Sequence, residues 1–376
     1  MDDVMKVLIL TITTGQGHNQ AAKTISEYLE KNEGVKATTL DAFEYINQGL
    51  KEIVSRGYLM SAKRLPKVYG KAYRMAEKRD SENGYIMRAT SSIMAKKLIK
   101  FVEEYDADVI VCTHVFAAML VTDIEKKFKR DIKTVGIVTD FTIHPYWEET
   151  DLDYYITANE FLINQAVKKG IDQEKVVPLG IPIDPKFATM CEKEQARKSL
   201  GIENKNTVLV MSGSMGYGKV ARMVKRLDSS DMDFQIISVC GNNQKLKKQI
   251  DKMNGKHKIY NFGFTDKVDL MMDAADCIVT KPGGITSSEA LAKELPMIIA
   301  NPIPGQEDRN VEFLMNNGAA FKVSSTFPVD EAIYQMFTNK IRMRELKEIA
   351  GVLGKPDSTL KIVEFVLKVG GHTNEA

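Results

Sequence analysis

Short apolar runs alternate with amphipathic patterns along the first half of the chain. Val7 to Ile12 is a run of the kind that forms a buried strand, and a glycine turn follows it. A helix is predicted from about Asn19 to Lys31, with Ala21, Ala22, Ile25 and Leu29 on one face. Lys36 to Leu40 reads as a second strand. Asp108 to Thr113 reads as a third, before a helix through Ala117 to Lys127. Thr134 to Val138 and Tyr154 to Thr157 continue the series. Such alternation predicts a parallel sheet covered by helices on both faces.

The pattern then restarts. Thr207 to Ser212 ends in Gly213, and Phe234 to Cys240 ends in Gly241. Ile259 to Phe262, Cys277 to Thr280 and Met297 to Ala300 complete a second set. Pro178, Pro182 and Pro185, with Gly180 among them, mark a linker. The expectation is an α/β protein of two Rossmann-like, doubly wound domains facing a central cleft, residues 1–184 and 185–355. A breaker, Gly354-Lys355-Pro356, precedes a last helical pattern from about Ser358 to Val369. Residues 356–376 are expected to cross back onto the first domain. In open α/β sheets the ligand lies beyond the carboxyl ends of the strands, so the informative residues belong in post-strand loops.

The chain's 376 residues suit two domains. A formal net charge of +2 argues against a general polyanion binder, so any basic function must be local. Of the four cysteines, Cys112, Cys240 and Cys277 lie in or beside apolar runs and read as buried free thiols of a reducing compartment. None has zinc-ligand spacing. The start, MDDVMK, carries acids where an export signal carries bases. No apolar stretch approaches the roughly 18–20 residues of a membrane span.

Two glycine loops stand out in the second half. Lys281-Pro282-Gly283-Gly284-Ile285-Thr286-Ser287-Ser288-Glu289 follows a strand and opens a helix. Its glycines admit close backbone approach, and the free N–H groups of a first helical turn suit a phosphate. Glu289 could accept from ribose hydroxyls, or it could complete a capping arrangement with Thr286. Ser212-Gly213-Ser214-Met215-Gly216-Tyr217-Gly218 is neither a dinucleotide fingerprint nor a P-loop. Pro304-Gly305-Gln306-Glu307-Asp308-Arg309-Asn310 presents amides and a carboxylate suited to sugar hydroxyls, or simply starts a helix.

The first half has its own turn, Thr14-Gly15-Gln16-Gly17-His18. An imidazole at a helix start has its pKa lowered by the positive helix end, which favours the proton-accepting form. Thr139-Asp140-Phe141-Thr142-Ile143-His144-Pro145-Tyr146-Trp147 gathers an acid, a histidine and the only tryptophan after one strand. His114 follows another strand with less to recommend it, and His257 reads as a solvated loop residue. Asp151-Leu152-Asp153 has the letters of a metal-binding D-x-D but lies at a strand start.

In order along nearly the whole chain, these motifs resemble the diacylglycerol glycosyltransferases: the monogalactosyldiacylglycerol synthases and processive diacylglycerol glucosyltransferases, related to the lipid II-forming MurG-type enzymes. The resemblance implies a GT-B fold and inverting transfer of galactose or glucose from UDP-galactose or UDP-glucose to diacylglycerol. It implies Phe264 at uracil and Glu289 at ribose. Gly283, Gly284, Ile285, Thr286 and Ser214 would line the diphosphate, and Gln306, Glu307 and Asn310 would read the sugar. His18 would be the base, with Asp140 the next candidate, and no metal or other cofactor is expected. His144 and Trp147 would face the acceptor.

Between Lys51 and Arg79, nine bases stand against two acids, interleaved with aromatic residues and methionines. Arg56, Lys63, Arg64, Lys67, Lys71 and Arg74 are the core of this segment. Its family position matches a membrane-docking region, and a peripheral place on anionic lipid at the inner face of the cell membrane is expected. No nucleic-acid recognition fold is visible. A UDP-sugar 2-epimerase and a non-catalytic UDP-sugar sensor are the competing readings.

Overall fold

The computed structural model of the chain describes residues 4–13, 16–46, 94–128, 132–213 and 219–372. It divides into two compact units. One comprises residues 1–184, 303–306 and 357–376; the other comprises 185–302 and 307–356.

The first unit holds a six-stranded sheet in the order β2-β1-β3-β4-β5-β6. Its strands are β1 (Met5–Thr11), β2 (Val35–Asp41), β3 (Val109–Cys112), β4 (Lys133–Ile137), β5 (Tyr154–Ile156) and β6 (Val176–Val177). The second unit holds another, in the order β12-β11-β10-β7-β8-β9. These are β7 (Thr207–Met211), β8 (Gln235–Val239), β9 (Ile259–Phe262), β10 (Cys277–Thr280), β11 (Met297–Ile299) and β12 (Ala320–Lys322). Every pairing is parallel. The central strands are therefore covered on both faces, which is why β3, β7 and β10 are buried along their whole length.

The predicted strands all form. The sequence reading missed β6 and β12, edge strands of two and three residues. Runs that short carry no readable alternation.

Helices α2 (Val115–Phe128) and α3 (Val220–Asp228) follow β3 and β7, and the final helix, α6 (Ser358–Val369), starts where its breaker predicts. Ile362, Val363, Val366 and Leu367 pack in one core cluster with Val7, Ile9 and Val111 of the sheet. Ala22, Ile25 and Leu29 of α1 (Gln16–Leu29) share it. Its first turn is pinned as well: Ser358 Oγ donates to the Ile181 carbonyl at 2.9 Å, and Thr359 Oγ1 donates to that of Ile183. Cys112, Cys240 and Cys277 are buried free thiols, as expected. Burial pushes the Cys112 and Cys277 thiols well up.

Two expectations fail here. Trp147 does not face an acceptor or a bilayer, because its side chain is in the core, 3% exposed and edge-on to Tyr155. The cause lies beneath it. Gly136 on β4 leaves room for the indole, and a Cβ there would come within 2.9 Å of it. His257 is not solvated either. It is buried and stacked on Phe234, with Nε2 2.8 Å from the Met232 carbonyl.

Candidate active site

Each sheet changes winding direction once. In the first, β2 lies to one side of β1 and β3 to the other. In the second, β8 and β10 flank β7 in the same way. A crevice opens at such a switch point, beyond the carboxyl ends of the two strands, and it is the default ligand site of open α/β sheets. His18 and His114 follow β1 and β3. Gly213 and Lys281 follow β7 and β10. The sequence-predicted residues thus fall at both switch points.

In the first unit the turn after β1 is braced from two sides. Thr13 donates to Asp41 Oδ2 through its N–H at 3.0 Å and through its hydroxyl. Asn19 accepts from Thr11 Oγ1 at 3.0 Å and donates to Thr13 Oγ1 at 2.9 Å. This fixes the start of α1, on which His18 stands. His18 Nδ1 lies 2.8 Å from the Thr113 carbonyl and 2.9 Å from Thr139 Oγ1. A carbonyl can only accept, so Nδ1 carries the hydrogen, and the lone pair of the neutral ring is on Nε2. The pKa of His18 is lowered, chiefly by burial, while Asp140 and the Thr113 carbonyl push it back up. The direction is the one expected from the helix start; the main cause is desolvation.

His114 is more involved than its sequence suggests. Its ring meets His18 edge-on, with centroids 4.5 Å apart. Its Nδ1 accepts from the Phe116 N–H at 3.1 Å, which places its own hydrogen on Nε2. Burial and the neighbouring His18 and His144 hold its pKa well below the usual value. His144 caps the short helical turn Pro145–Glu149, where Nδ1 accepts from the Tyr146 N–H at 3.1 Å. The fold therefore brings His18 and His114 into contact, with Asp140 near enough to act on the first ring and His144 on the second, while Nδ1 of His144 is engaged in holding its own loop.

In the second unit, α4 (Gly284–Ala292) has Gly283 as its N-cap, so no cap side chain covers the first N–H groups. Among the described residues, a Cβ on Gly283 would meet nothing within 4 Å. Gly283, not Thr286, occupies the cap position, so the capping role considered for Thr286 is not taken. Ile285, Thr286 and Glu289 are half-buried around this opening, and Gly284 is buried. The turns after β7 and β8 stay low because Gly213 and Gly241 adopt φ of +63° and +55°. Phe264, 69% exposed, lies past the end of β9. That is three strand spacings from β10, about 14 Å.

Glu307 and Asn310 stand on α5 (Gln306–Asn316) and are buried. Asn310 Nδ2 donates to the Pro282 carbonyl at 2.9 Å, and Lys281 Nζ donates to Glu307 Oε1 at 2.8 Å. The residues expected to read the sugar are thereby tied to the segment that leads into the Gly283–Gly284 turn. Sequence reasoning quoted Lys281 but gave it no role. It also passed over Thr139 and the Thr113 carbonyl, since neither pattern nor residue type distinguishes them. The Gln306 side chain lies outside the described residues. So do Ser214 and the basic residues Arg56, Lys63, Arg64, Lys67, Lys71 and Arg74.

Comparison with known proteins follows this geometry. Acinetobacter baumannii MurG matches with a TM-score of 0.63 at 14% identity, covering 97% of this chain and 99% of that one. A UDP-GlcNAc 2-epimerase from Neisseria meningitidis, solved bound to UDP-GlcNAc, matches at 0.59 and 14%, covering 97% and 100%. At such identities the likeness shows the fold, which is GT-B, the expected architecture class. Residues 18–183 match the family model of monogalactosyldiacylglycerol (MGDG) synthase, and residues 207–357 match the glycosyltransferase family 28 C-terminal domain. The processive diacylglycerol beta-glucosyltransferase of Bacillus pumilus is 28% identical over 377 residues, 98% of this chain and 96% of that protein. The chain thus resembles the diacylglycerol glycosyltransferases along nearly its whole length, and its second half carries a glycosyltransferase C-terminal domain.

Proposed function

We propose that the chain moves glucose from UDP-glucose onto 1,2-diacylglycerol, with inversion, at a membrane surface. The observation that carries the transfer chemistry is the open, glycine-capped start of α4 at the β7/β10 switch point. The amides of that first turn and the positive helix end suit a pyrophosphate and the charge that gathers on it as UDP leaves. The choice of glucose over galactose rests on the Bacillus pumilus relative, which matches almost end to end.

In this reading uracil lies near Phe264 and ribose at Glu289. The diphosphate lies against Gly283 to Thr286, and the hexose near Glu307 and Asn310. His18 Nε2 takes the proton of the acceptor hydroxyl. The acceptor oxygen bonds to the anomeric carbon as that carbon's bond to the β-phosphate oxygen breaks, and the electron pair leaves with UDP. Asp140 beside the ring favours the imidazolium that results. Charge on the leaving group is met by the helix terminus, so no metal is required.

Among the described residues no helix is long and apolar enough to cross a membrane. A peripheral site on the inner face of the cell membrane is proposed from the basic segment 51–79, which lies outside the described residues. The test is a donor screen with purified protein, UDP-glucose or UDP-galactose, and vesicles with or without diacylglycerol. Thin-layer separation reads the lipid products. Glucolipid formed only with diacylglycerol is the expected result. Conversion of the UDP-sugar without diacylglycerol would overturn the reading.

A further inference from the structure

We infer that the second unit carries its own contact with an anionic bilayer, on the outer face of α3 and of the helix Gln244–Asp251. The inference rests on the lipid-acceptor reading above and adds a surface separate from the segment 51–79.

Two crossovers build this face. α3 joins β7 to β8, and the helix Gln244–Asp251 joins β8 to β9. The three strands are parallel neighbours taken in one direction, and right-handed crossovers then cover the same side of the sheet. The two helices pack against each other. Val220, Met223, Val224 and Leu227 of the first, and Leu246 and Ile250 of the second, are buried in one core cluster beneath. With 3.6 residues per turn, the positions opposite those stripes face outward together. They are Lys219, Arg222, Lys225, Lys245, Lys248 and Lys252, all exposed.

Charge here is one-sided in a nearly neutral chain. Over residues 219–228 and 244–252, eight bases stand against two acids. Neither acid offsets the outer face. Asp228 Oδ1 accepts from the His257 N–H at 2.9 Å, and Asp251 pairs with Lys247 at 3.0 Å. Arg226, on the flank, pairs with Asp330 at 2.6 Å. Among the described residues, none of the six outward bases has an acid at ion-pairing distance. Such a face repels itself unless it meets negative charge. The form of that charge follows from the layout. The six bases spread over two helices whose axes lie roughly 8–10 Å apart. Lys245, Lys248 and Lys252 line an open hollow of about 560 Å³ with Gln244 and Gln249. All five of these residues are exposed, so the hollow offers no desolvated donor set of the kind that holds one small anion. Hydrated lysines spread in this way suit many mobile headgroup phosphates at once. No aromatic residue stands in either stretch to stack on bases, which disfavours a single-stranded nucleic acid.

The experiment is co-sedimentation of the full chain with vesicles of phosphatidylcholine, with or without phosphatidylglycerol. One variant combines Arg222→Gln, Lys225→Gln, Lys245→Gln and Lys248→Gln. A control makes the same change in net charge elsewhere on the unit, at the exposed residues Lys198, Lys322, Lys340 and Arg344, each to Gln. A base near an anionic surface is worth roughly fivefold in partitioning, so the first variant should bind phosphatidylglycerol vesicles on the order of 100-fold more weakly. Binding to phosphatidylcholine alone should not change, the control should lose little, and high salt should erase the difference. Unchanged partitioning of the first variant would overturn the inference. So would an equal loss in the control, which would reduce the effect to net charge. A loss of UDP affinity with vesicle binding intact would reassign the face to nucleotide steering. Variant-sensitive binding of an RNA oligonucleotide, tighter than that of the anionic vesicles, would reassign it to nucleic acid. If the fourfold variant does not fold, Lys245→Gln/Lys248→Gln still decides, with a loss of about tenfold or more expected. Variant-sensitive binding to anionic vesicles by a chain that makes no glycolipid would sink the acceptor reading and leave the surface standing.

Discussion

The two switch points occupy equivalent places in two sheets of the same kind, yet they are built from different material. At the β1/β3 crevice the candidate chemistry is in side chains: His18, held by the Thr113 carbonyl and Thr139, with His114 edge-on to its ring and Asp140 acting on its charge. At the β7/β10 crevice it is in the backbone, where Gly283 caps α4 with no side-chain bond and positive-φ glycines keep the neighbouring turns low. The difference suits the two tasks proposed for these crevices. A proton acceptor must have one tautomer and a tuned pKa, which only a held side chain provides. A diphosphate needs several fixed donors at close range, which amides provide with no side-chain entropy to lose.

This contrast can be broken most severely at His18. His18→Ala should lower kcat about 10²–10⁴-fold, measured as UDP release with diacylglycerol present, and should leave UDP affinity alone. Full turnover would remove the side-chain half of the comparison and move attention to Asp140. Gly283→Asp probes the backbone half with opposite signs. Aspartate is at least as good an N-cap as glycine, so the thermal midpoint should hold or rise slightly. Its charge should repel the diphosphate and weaken UDP on the order of 100-fold by titration. A parallel loss of stability and binding would show that the turn is structural.

Thr139→Val sharpens the tautomer claim. Loss of one hydrogen bond to His18 should reduce kcat roughly 3- to 10-fold with little change in KM, and Thr139→Ser should restore it. The smallest effect concerns pH. His18 and His114 both have folded-state pKa values below the ordinary 6.5. The unfolded chain therefore binds more protons than the folded one as pH falls through 6.5, so stability declines on the acid side and is fully present above it. The acid limb of kcat/KM should likewise fall at a pH below 6.5, because His18 stays neutral longer than a free imidazole. A limb above 6.5 would contradict the desolvated setting of the ring.

Much of the fold was legible because buried parallel strands are written as continuous apolar runs, and glycines punctuate their ends. The α6 limits could be read because a glycine–proline breaker precedes a clean helical period. The proposed donor turn was visible for the same reason, since Gly283-Gly284 opens a helix straight after a strand. The errors have a common origin. Trp147 looked like an interfacial aromatic because nothing local reveals that Gly136, eleven positions earlier, has cleared a place for its ring. His257 looked solvated among lysines because the Phe234 face that covers it comes from another strand run. His114 was undervalued because its partner, His18, is nearly a hundred residues away.

The chain's own order of residues determined which groups were available: the apolar runs, the glycine turns and a histidine at the head of a helix. Those are local properties, set by side-chain volume, backbone freedom and period. Tertiary structure alone decided which strands became neighbours, and so where the winding direction reverses and which turns share a crevice. Ring tautomers, buried ion pairs and the fate of a lone tryptophan followed from that, because each depends on a partner that sequence distance does not encode.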